Sequence, residues 1–308
     1  MKCVVLGGGG FLGSHVCDAL LKEGWHVRIF EKEWVNRENA YHFLSGVEWV
    51  EGDFTNQRHL KEIVKNVDFV IHCICTTLPQ SSNENPVYDI SSNVLPTIYL
   101  LEAIRNSDVK KIIFFSSGGT IYGLPKLKPI LEGHQTDPLC SYGIQKLVIE
   151  KYLGLYHHLY GLDYCIIRVS NAYGERQRPH HSQGAVTVFL YKALREQEIE
   201  VWGDGSVVRD YVYVSDVADA VVALLKYSGK HKLFNISSGV GLSVRDLIEK
   251  IEIVTGFRAK VSFTQGRAFD VSANVLDNSL AKKELLWNPR IGFEEGLKRT
   301  MAYLLGLK

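Results

Sequence analysis

Tyr142 and Lys146 stand four residues apart in the segment Ser141-Tyr142-Gly143-Ile144-Gln145-Lys146. On a helix that spacing sets both side chains on one face. A phenol with its ordinary pKa of about 10 is a poor base at neutral pH. An ammonium close by favours the phenolate, and a second positive charge in the site lowers the pKa further. The oxygen can then take a proton from a substrate hydroxyl. Tyr-x-x-x-Lys arises by chance on many helices, so the pair needs a second feature to make it specific.

That feature is the run Gly7-Gly8-Gly9-Gly10-Phe11-Leu12-Gly13, in which Gly7, Gly10 and Gly13 keep a G-x-x-G-x-x-G spacing between an apolar run and a helical pattern. Glycine allows the tight turn, the close approach of backbone to a pyrophosphate, and the packing of helix on strand. The helix N-terminus then offers free N–H groups to the anion. Glu31 follows Gly13 by 18 residues, at the end of the second apolar run. A carboxylate there accepts both hydroxyls of an adenosine ribose and repels a 2′-phosphate, which points to NAD rather than NADP. Lys32 and Arg37 are nearby cations that argue the other way. Asp53, in Gly52-Asp53-Phe54, is placed either to bond the adenine amino group or to make a turn.

The elements that must position these groups alternate. The pattern predicts strands at Lys2–Leu6, His26–Phe30, Val47–Glu51, Asp68–His72, Lys111–Ser116 and Asp163–Arg168. Between them it predicts helices at Phe11–Glu23, Gln57–Lys65, Val87–Arg105 and Tyr142–Tyr160. Short apolar strands separated by longer helices imply crossover connections and a parallel sheet covered on both faces, an α/β Rossmann-type doubly wound fold. Beyond Arg168 the pattern loosens. The expected division is a dinucleotide-binding domain over 1–168, to which 213–240 returns, and a smaller C-terminal α/β lobe from 169–212 and 241–308. No linker separates the two, so a cleft between intimate lobes is expected.

Composition narrows the class. The chain has 308 residues, 46% hydrophobic and 22% charged, enough apolar side chain for a large core. Thirty-five Lys and Arg against 34 Asp and Glu give no field for wrapping a polyanion, which argues against nucleic acid as a partner. No apolar run reaches the ~20 residues that cross a bilayer, and Met1–Leu6 runs into glycines without a signal-like apolar region. These features predict a cytoplasmic chain with no membrane partner. The six cysteines are scattered through apolar segments and read as reduced, mostly buried thiols. Cys73 and Cys75 have no second pair, and His157-His158 and His180-His181 lack ligand spacing, so no metal is expected.

Taken together, these motifs resemble the extended short-chain dehydrogenase/reductases, specifically the NAD-dependent sugar-nucleotide epimerase/dehydratase family. The matching segments run nearly end to end: Gly7–Gly13, Gly52-Asp53-Phe54, Asn93-Val94, Ser116–Gly123, Tyr142–Lys146, Arg168-x-x-Asn171-x-Tyr173-Gly174, Gly203-Asp204-Gly205, Arg209–Val214 and Arg267-x-x-Asp270. The resemblance gives the cofactor Gly7, Gly10, Phe11, Leu12, Gly13, Glu31, Asp53, Phe54, Ser116, Tyr142 and Lys146. It gives a nucleotide-sugar diphosphate Arg209 and Arg267, with Asn171 near the phosphates, Asp270 at the ribose and Asn274 beside the sugar. Asn274 is smaller than the tyrosine of relatives restricted to plain hexoses, which implies room for an N-acetylhexosamine. A homodimer through Val87–Arg105 and Tyr142–Tyr160 is implied as well.

In this family the tyrosine takes a proton from a sugar hydroxyl while the adjacent carbon gives up hydride, forming a 4-keto sugar that epimerases turn over and reduce from the other face. A Ser or Thr assists at the position held here by Gly118, which has no hydroxyl. Side chains alternate across a strand, so Thr120 is expected to face the same way as position 118 and Ser117 to face away. Thr120 is therefore the expected assisting and substrate-binding group, with a water as the alternative. Dehydratases of the family carry an Asp-Glu pair in this segment; Gly118-Gly119-Thr120 has no carboxylate, which favours 4-epimerisation of a UDP-hexose or UDP-N-acetylhexosamine. The competing readings are another oxidoreductase or dehydratase of this fold and a non-catalytic NAD sensor. Pro96 in place of a family glycine, and His72-Cys73-Ile74-Cys75 in place of His-Leu-Ala-Ala, have no explanation in the sequence.

Overall fold

The computed structural model describes residues 1–179, 184–266 and 271–306. The first half runs β1 (Lys2–Leu6), α1 (Phe11–Lys22), β2 (His26–Glu31), β3 (Val47–Glu51), α2 (Gln57–Ile63), β4 (Phe69–His72), α3 (Pro79–Glu84), α4 (Pro86–Asp89), a π-helical turn (Ile90–Val94), α5 (Leu95–Ile104), β5 (Lys111–Ser117) and α6 (Ser141–Tyr160). The second half runs β6 (Asp163–Val169), β7 (Asn171–Tyr173), α7 (Ala185–Ala193), β8 (Ile199–Trp202), β9 (Val208–Tyr213), α8 (Val214–Lys226), β10 (Leu233–Ile236), β11 (Gly241–Ser243), α9 (Val244–Thr255), β12 (Val261–Thr264), β13 (Ala273–Asn274), α10 (Ser279–Leu285) and α11 (Phe293–Gly306).

Among the described residues, seven parallel strands form the main sheet in the order β10-β6-β5-β4-β1-β2-β3. This is the α/β doubly wound fold expected from the sequence. Strand alternation divides its core between two faces. Cys3 and Val5 pack with α1 and α8, whereas Val4 and Leu6 pack with α2, α5 and α6. The strand order reverses between β1 and β4, and in such sheets ligands bind in the crevice at the carboxyl ends of the strands beside that point. A third core joins α7, α9 and α11 to β8 and β9. Beside it, β11, β9 and β13 form a small sheet to which β7 also pairs.

The long helix expected over Val87–Arg105 is present as α4, a wider π turn at Ile90–Val94 and α5, with right-handed helical backbone through both joints. Pro96 falls just past that turn; having no N–H, it cannot complete a bond back into the preceding turn, and a π turn is one way a helix absorbs such a residue. Helix α3 was not foreseen in the sequence.

Candidate active site

The crevice at the switch point is built from backbone. Gly7 has φ +84°, and a Cβ at Gly13 would lie 2.1 Å from the Gly7 carbonyl oxygen, so α1 packs this closely only because residue 13 has no side chain. No side chain among the described residues caps α1, which leaves first-turn N–H groups at Phe11 and Leu12 available to an anion. Glu31 is buried at the end of β2 and accepts a 2.9 Å bond from the Gly9 N–H. Burial raises its pKa, against the opposing pull of the Gly9 N–H. Asn39 donates to the Gly9 carbonyl from the other side. The free helix end, the Gly7–Gly13 contact and the buried carboxylate together fit a dinucleotide.

Three further residues expected at the cofactor make contacts of their own. Asp53 is exposed, and its carboxyl, bonded by the N–H and hydroxyl of Thr55 at 2.8 and 2.7 Å, is held below the usual range. It is an ionised turn aspartate at the lip of the sheet. Phe54 is buried, its ring 5.1 Å from that of His72. Ser116, expected at the cofactor, gives its hydroxyl to Glu150 at 2.6 Å. Glu150 in turn holds Arg168 through two bonds of 2.6 and 3.0 Å, so Ser116 completes a buried ion pair tying α6 to the sheet.

Tyr142 and Lys146 meet in the first turns of α6. Lys146 is buried; its Nζ donates to the Phe115 carbonyl at 2.9 Å, lies 4.8 Å from the Phe114 ring centroid, and is 5.7 Å from that of Tyr142. Burial pushes the Tyr142 phenol well above its ordinary pKa, with Cys75, Cys140 and Asp89 acting in the same direction. In the protein alone the cost of burying the phenolate outweighs the nearby ammonium, and the acidification expected from the sequence needs the second positive charge as well as Lys146. The Cys75 sulfur, at the third departure from His-Leu-Ala-Ala, lies within hydrogen-bonding reach of the phenol and also accepts from Gln145 Nε2 at 3.5 Å.

The start of α6 is capped from outside. Asn83 Oδ1 accepts the Ser141 N–H and Ser82 Oγ accepts the Tyr142 N–H, each at 2.9 Å. Asp89 Oδ2 accepts the Ser141 hydroxyl at 2.7 Å. Sequence reasoning missed all three residues. The only signals were Pro79 and Pro86, which open short helices.

The alternation argument about Ser117 is corrected. Strand β5 ends at Ser117 and the chain turns through Gly118–Thr120, so period-two facing does not carry across. Thr120 Oγ1 instead donates to Ser117 Oγ at 2.9 Å, and the two hydroxyls act as one group. A Cβ at Gly118 would lie 2.3 Å from Leu276 Cδ1, so Leu276 takes the space a side chain there would use. A Cβ at Gly143 would come within 2.9 Å of the Thr120 carbonyl oxygen, and its absence lets the hydroxyl turn approach Tyr142's helix.

On the opposite side, Asn274 pairs in register with Arg209, and Asn171 with Tyr211 two residues along the same strand. Arg209 Nη1 donates to the carbonyls of Val208 and Val271, and Asn171 Nδ2 to that of Asp210. Asn274 is buried; Nδ2 donates to the Gly118 carbonyl at 3.0 Å, while Oδ1 finds no partner among the described residues. The small sheet thus brings Asn171, Arg209 and Asn274 together and ties them to the turn after β5. Arg267 and Asp270 lie outside the described residues.

A doubly wound sheet with a glycine turn at its switch point and a Tyr-x-x-x-Lys helix beside it defines a dinucleotide-dependent enzyme. Residues 3–237 match the model of the NAD dependent epimerase/dehydratase family. The chain belongs to that family, and NAD is its cofactor. It is 39% identical over 302 residues, 98% of this chain and 97% of the other, to a putative UDP-glucose 4-epimerase of Methanocaldococcus jannaschii. A crystal structure of UDP-glucose 4-epimerase from Thermotoga maritima, with UDP-glucose, superposes with a TM-score of 0.94 at 34% identity and 99% coverage of both chains. A UDP-N-acetylglucosamine 4-epimerase from Methanobrevibacter ruminantium, with UDP-N-acetylmuramic acid, gives 0.93 at 28% identity, covering 100% of this chain and 99% of that one.

Proposed function

We propose that this protein is a nucleotide-sugar 4-epimerase acting on a UDP-hexose or UDP-N-acetylhexosamine through a transient 4-keto sugar. The observation that carries the reading is the convergence of three groups: the glycine turn, the Tyr142–Lys146 pair, and a Ser117–Thr120 hydroxyl pair beside them with no carboxylate at 118–120. Gly7, Gly10, Gly13 and the N–H groups of Phe11 and Leu12 hold the pyrophosphate, and Glu31 the adenosine ribose. NAD, when bound, supplies reversible two-electron oxidation and a positive charge beside the phenol. Tyr142 takes the proton of the sugar 4-hydroxyl and later returns it. Ser117, buttressed by Thr120, orients that hydroxyl, and Lys146 favours the phenolate. Dehydration needs a further acid and base, which this turn lacks.

On the substrate side, Arg209 and Arg267 pair with the diphosphate, Asn171 and Asp270 add polar contacts, and Asn274 borders the sugar. The lobe holding these residues serves the nucleotide sugar, and the large sheet serves the cofactor. UDP-glucose, UDP-N-acetylglucosamine and UDP-glucuronate, incubated with purified enzyme, distinguish the substrates by NMR of the products. We expect 4-epimers from UDP-glucose and UDP-N-acetylglucosamine without net NADH accumulation. Net NADH formation would instead mark a dehydrogenase. Tyr142→Phe should cut turnover by about two to four orders of magnitude with NAD still bound; unchanged turnover would leave the NAD-sensor reading.

A further inference from the structure

We propose that Asp89 is a positioning residue for this reaction, holding Tyr142 in place through Ser141 on the catalytic helix and Thr77 on the loop after β4. The inference rests on the epimerase reading only for its kinetic arm. Asp89 is fully buried, and no cation pairs with it among the described residues. Its oxygens meet donors instead: the Ser141 hydroxyl at 2.7 Å, the Thr77 hydroxyl at 2.5 Å and Asn93 Nδ2 at 3.2 Å. Asn93 Nδ2 can only donate, and the Ser141 and Thr77 hydroxyls are placed to donate as well, so the carboxyl is bonded as an acceptor. An unpaired buried charge is costly, so its retention calls for a purpose beyond filling space.

The purpose follows from what those donors belong to. Ser141 is the first residue of α6 and the neighbour of Tyr142, and α6 has no cap from its own Cys140 side chain. Thr77 closes the loop whose Cys75 touches the phenol, and the Cys75 thiol donates to the Thr77 carbonyl. Asn93, in the π turn, bonds Thr76 and Thr77 as well as Asp89 and locks the loop to the helix. Asp89 therefore clamps the two segments between which Tyr142 sits. Among the described residues, the charged and titratable groups facing the phenol are Cys75 from the loop, Asp89 from α4, Cys140 just ahead of α6 and Lys146 on it. Removing Asp89's charge should ease ionisation of Tyr142 even as it loosens its placement.

The test separates the two effects. Asp89→Asn removes the charge, and Ser141→Ala breaks the grip while keeping it. With NAD-loaded protein, ultraviolet difference titration against Tyr142→Phe isolates the Tyr142 phenolate. We expect its midpoint to move to lower pH in Asp89→Asn and to stay near wild type in Ser141→Ala. In the epimerase assay both variants should lose about tenfold to a hundredfold in kcat with KM changed less than about threefold, the signature of a misplaced catalytic group. A folded, NAD-bound Asp89→Asn with the wild-type midpoint and kcat overturns the proposal. So does wild-type kcat in Ser141→Ala, which decides the matter should Asp89→Asn fail to fold. A wild-type enzyme inert toward every nucleotide sugar sinks the epimerase reading alone, and the titration still judges Asp89.

Discussion

A methyl group at position 13 would sit 2.1 Å from a carbonyl oxygen, far inside contact distance, so Gly13→Ala must push α1 off the glycine turn. Because the clash is with backbone, rotamer changes cannot relieve it. We expect Gly13→Ala to weaken NAD binding by at least about tenfold, since the anion site depends on the helix end staying where it is. Fluorescence titration with NAD against wild type and Tyr142→Phe checks this; wild-type affinity in Gly13→Ala would show that the turn does not hold the cofactor. At this scale the sequence is legible where function fixes spacing along the chain, as with Gly7, Gly10 and Gly13 or Tyr142 and Lys146. It was not legible at Ser117, because where a strand stops is decided by the Gly118–Thr120 turn and by Leu276 arriving from 158 positions away. The same is true of Ser116, whose hydroxyl goes to a glutamate 34 residues on.

Apolar periodicity identifies elements that bury a face against the sheet, and those were readable to within a residue or two. Helix α3, with six residues, has too few turns to show a period, yet it supplies both trans caps of α6. The end of β4 carries a group whose state depends on packing. His72 is buried between the rings of Phe54 and Phe114, with Nε2 2.9 Å from Thr97 Oγ1. Thr97 spends its hydroxyl proton on the Asn93 carbonyl, so His72 Nε2 donates, and a second proton on Nδ1, buried without a partner among the described residues, would go unsatisfied. Burial, with help from Lys146, lowers its pKa from 6.5 to about 3. Between those values the unfolded chain binds a proton that the native chain does not, so stability falls as pH drops through this window. The slope from this one group is about 1.4 kcal/mol per pH unit. Urea unfolding at pH 7, 6 and 5 should show that added loss in wild type and not in His72→Leu. Parallel curves would mean that His72 takes up its proton alike in the folded and the unfolded chain.

Across the whole molecule, each face of the main sheet has its own helical layer, yet α5 and α6 also keep apolar side chains on their outer sides. Ile144, Leu155 and Leu159 on α6, and Leu95 on α5, are exposed by 47, 44, 54 and 42%. Val87 and Tyr88 on α4 and Ile90 in the π turn are exposed as well. On α6 the positions 144, 148, 152, 155 and 159 follow one another by three or four residues, a continuous stripe rather than scattered leucines. Patches of this kind on a single chain mark an interaction surface. Two copies of the α5–α6 pair, packed against each other, would bury it as a four-helix contact, and we propose that the chain forms this homodimer. Sedimentation equilibrium should then give twice the 34.7 kDa chain mass. Ile144→Glu with Leu155→Glu should return it to a monomer, because each charge would be buried in the contact without a partner. A wild-type monomer at micromolar concentration, or a double variant that still dimerises, would move the interface elsewhere. The stripe is visible in the sequence only as apolar residues on two long helices. Which of them face outward depends on the sheet's claim to the inner faces, and that is settled only when all seven strands are assembled.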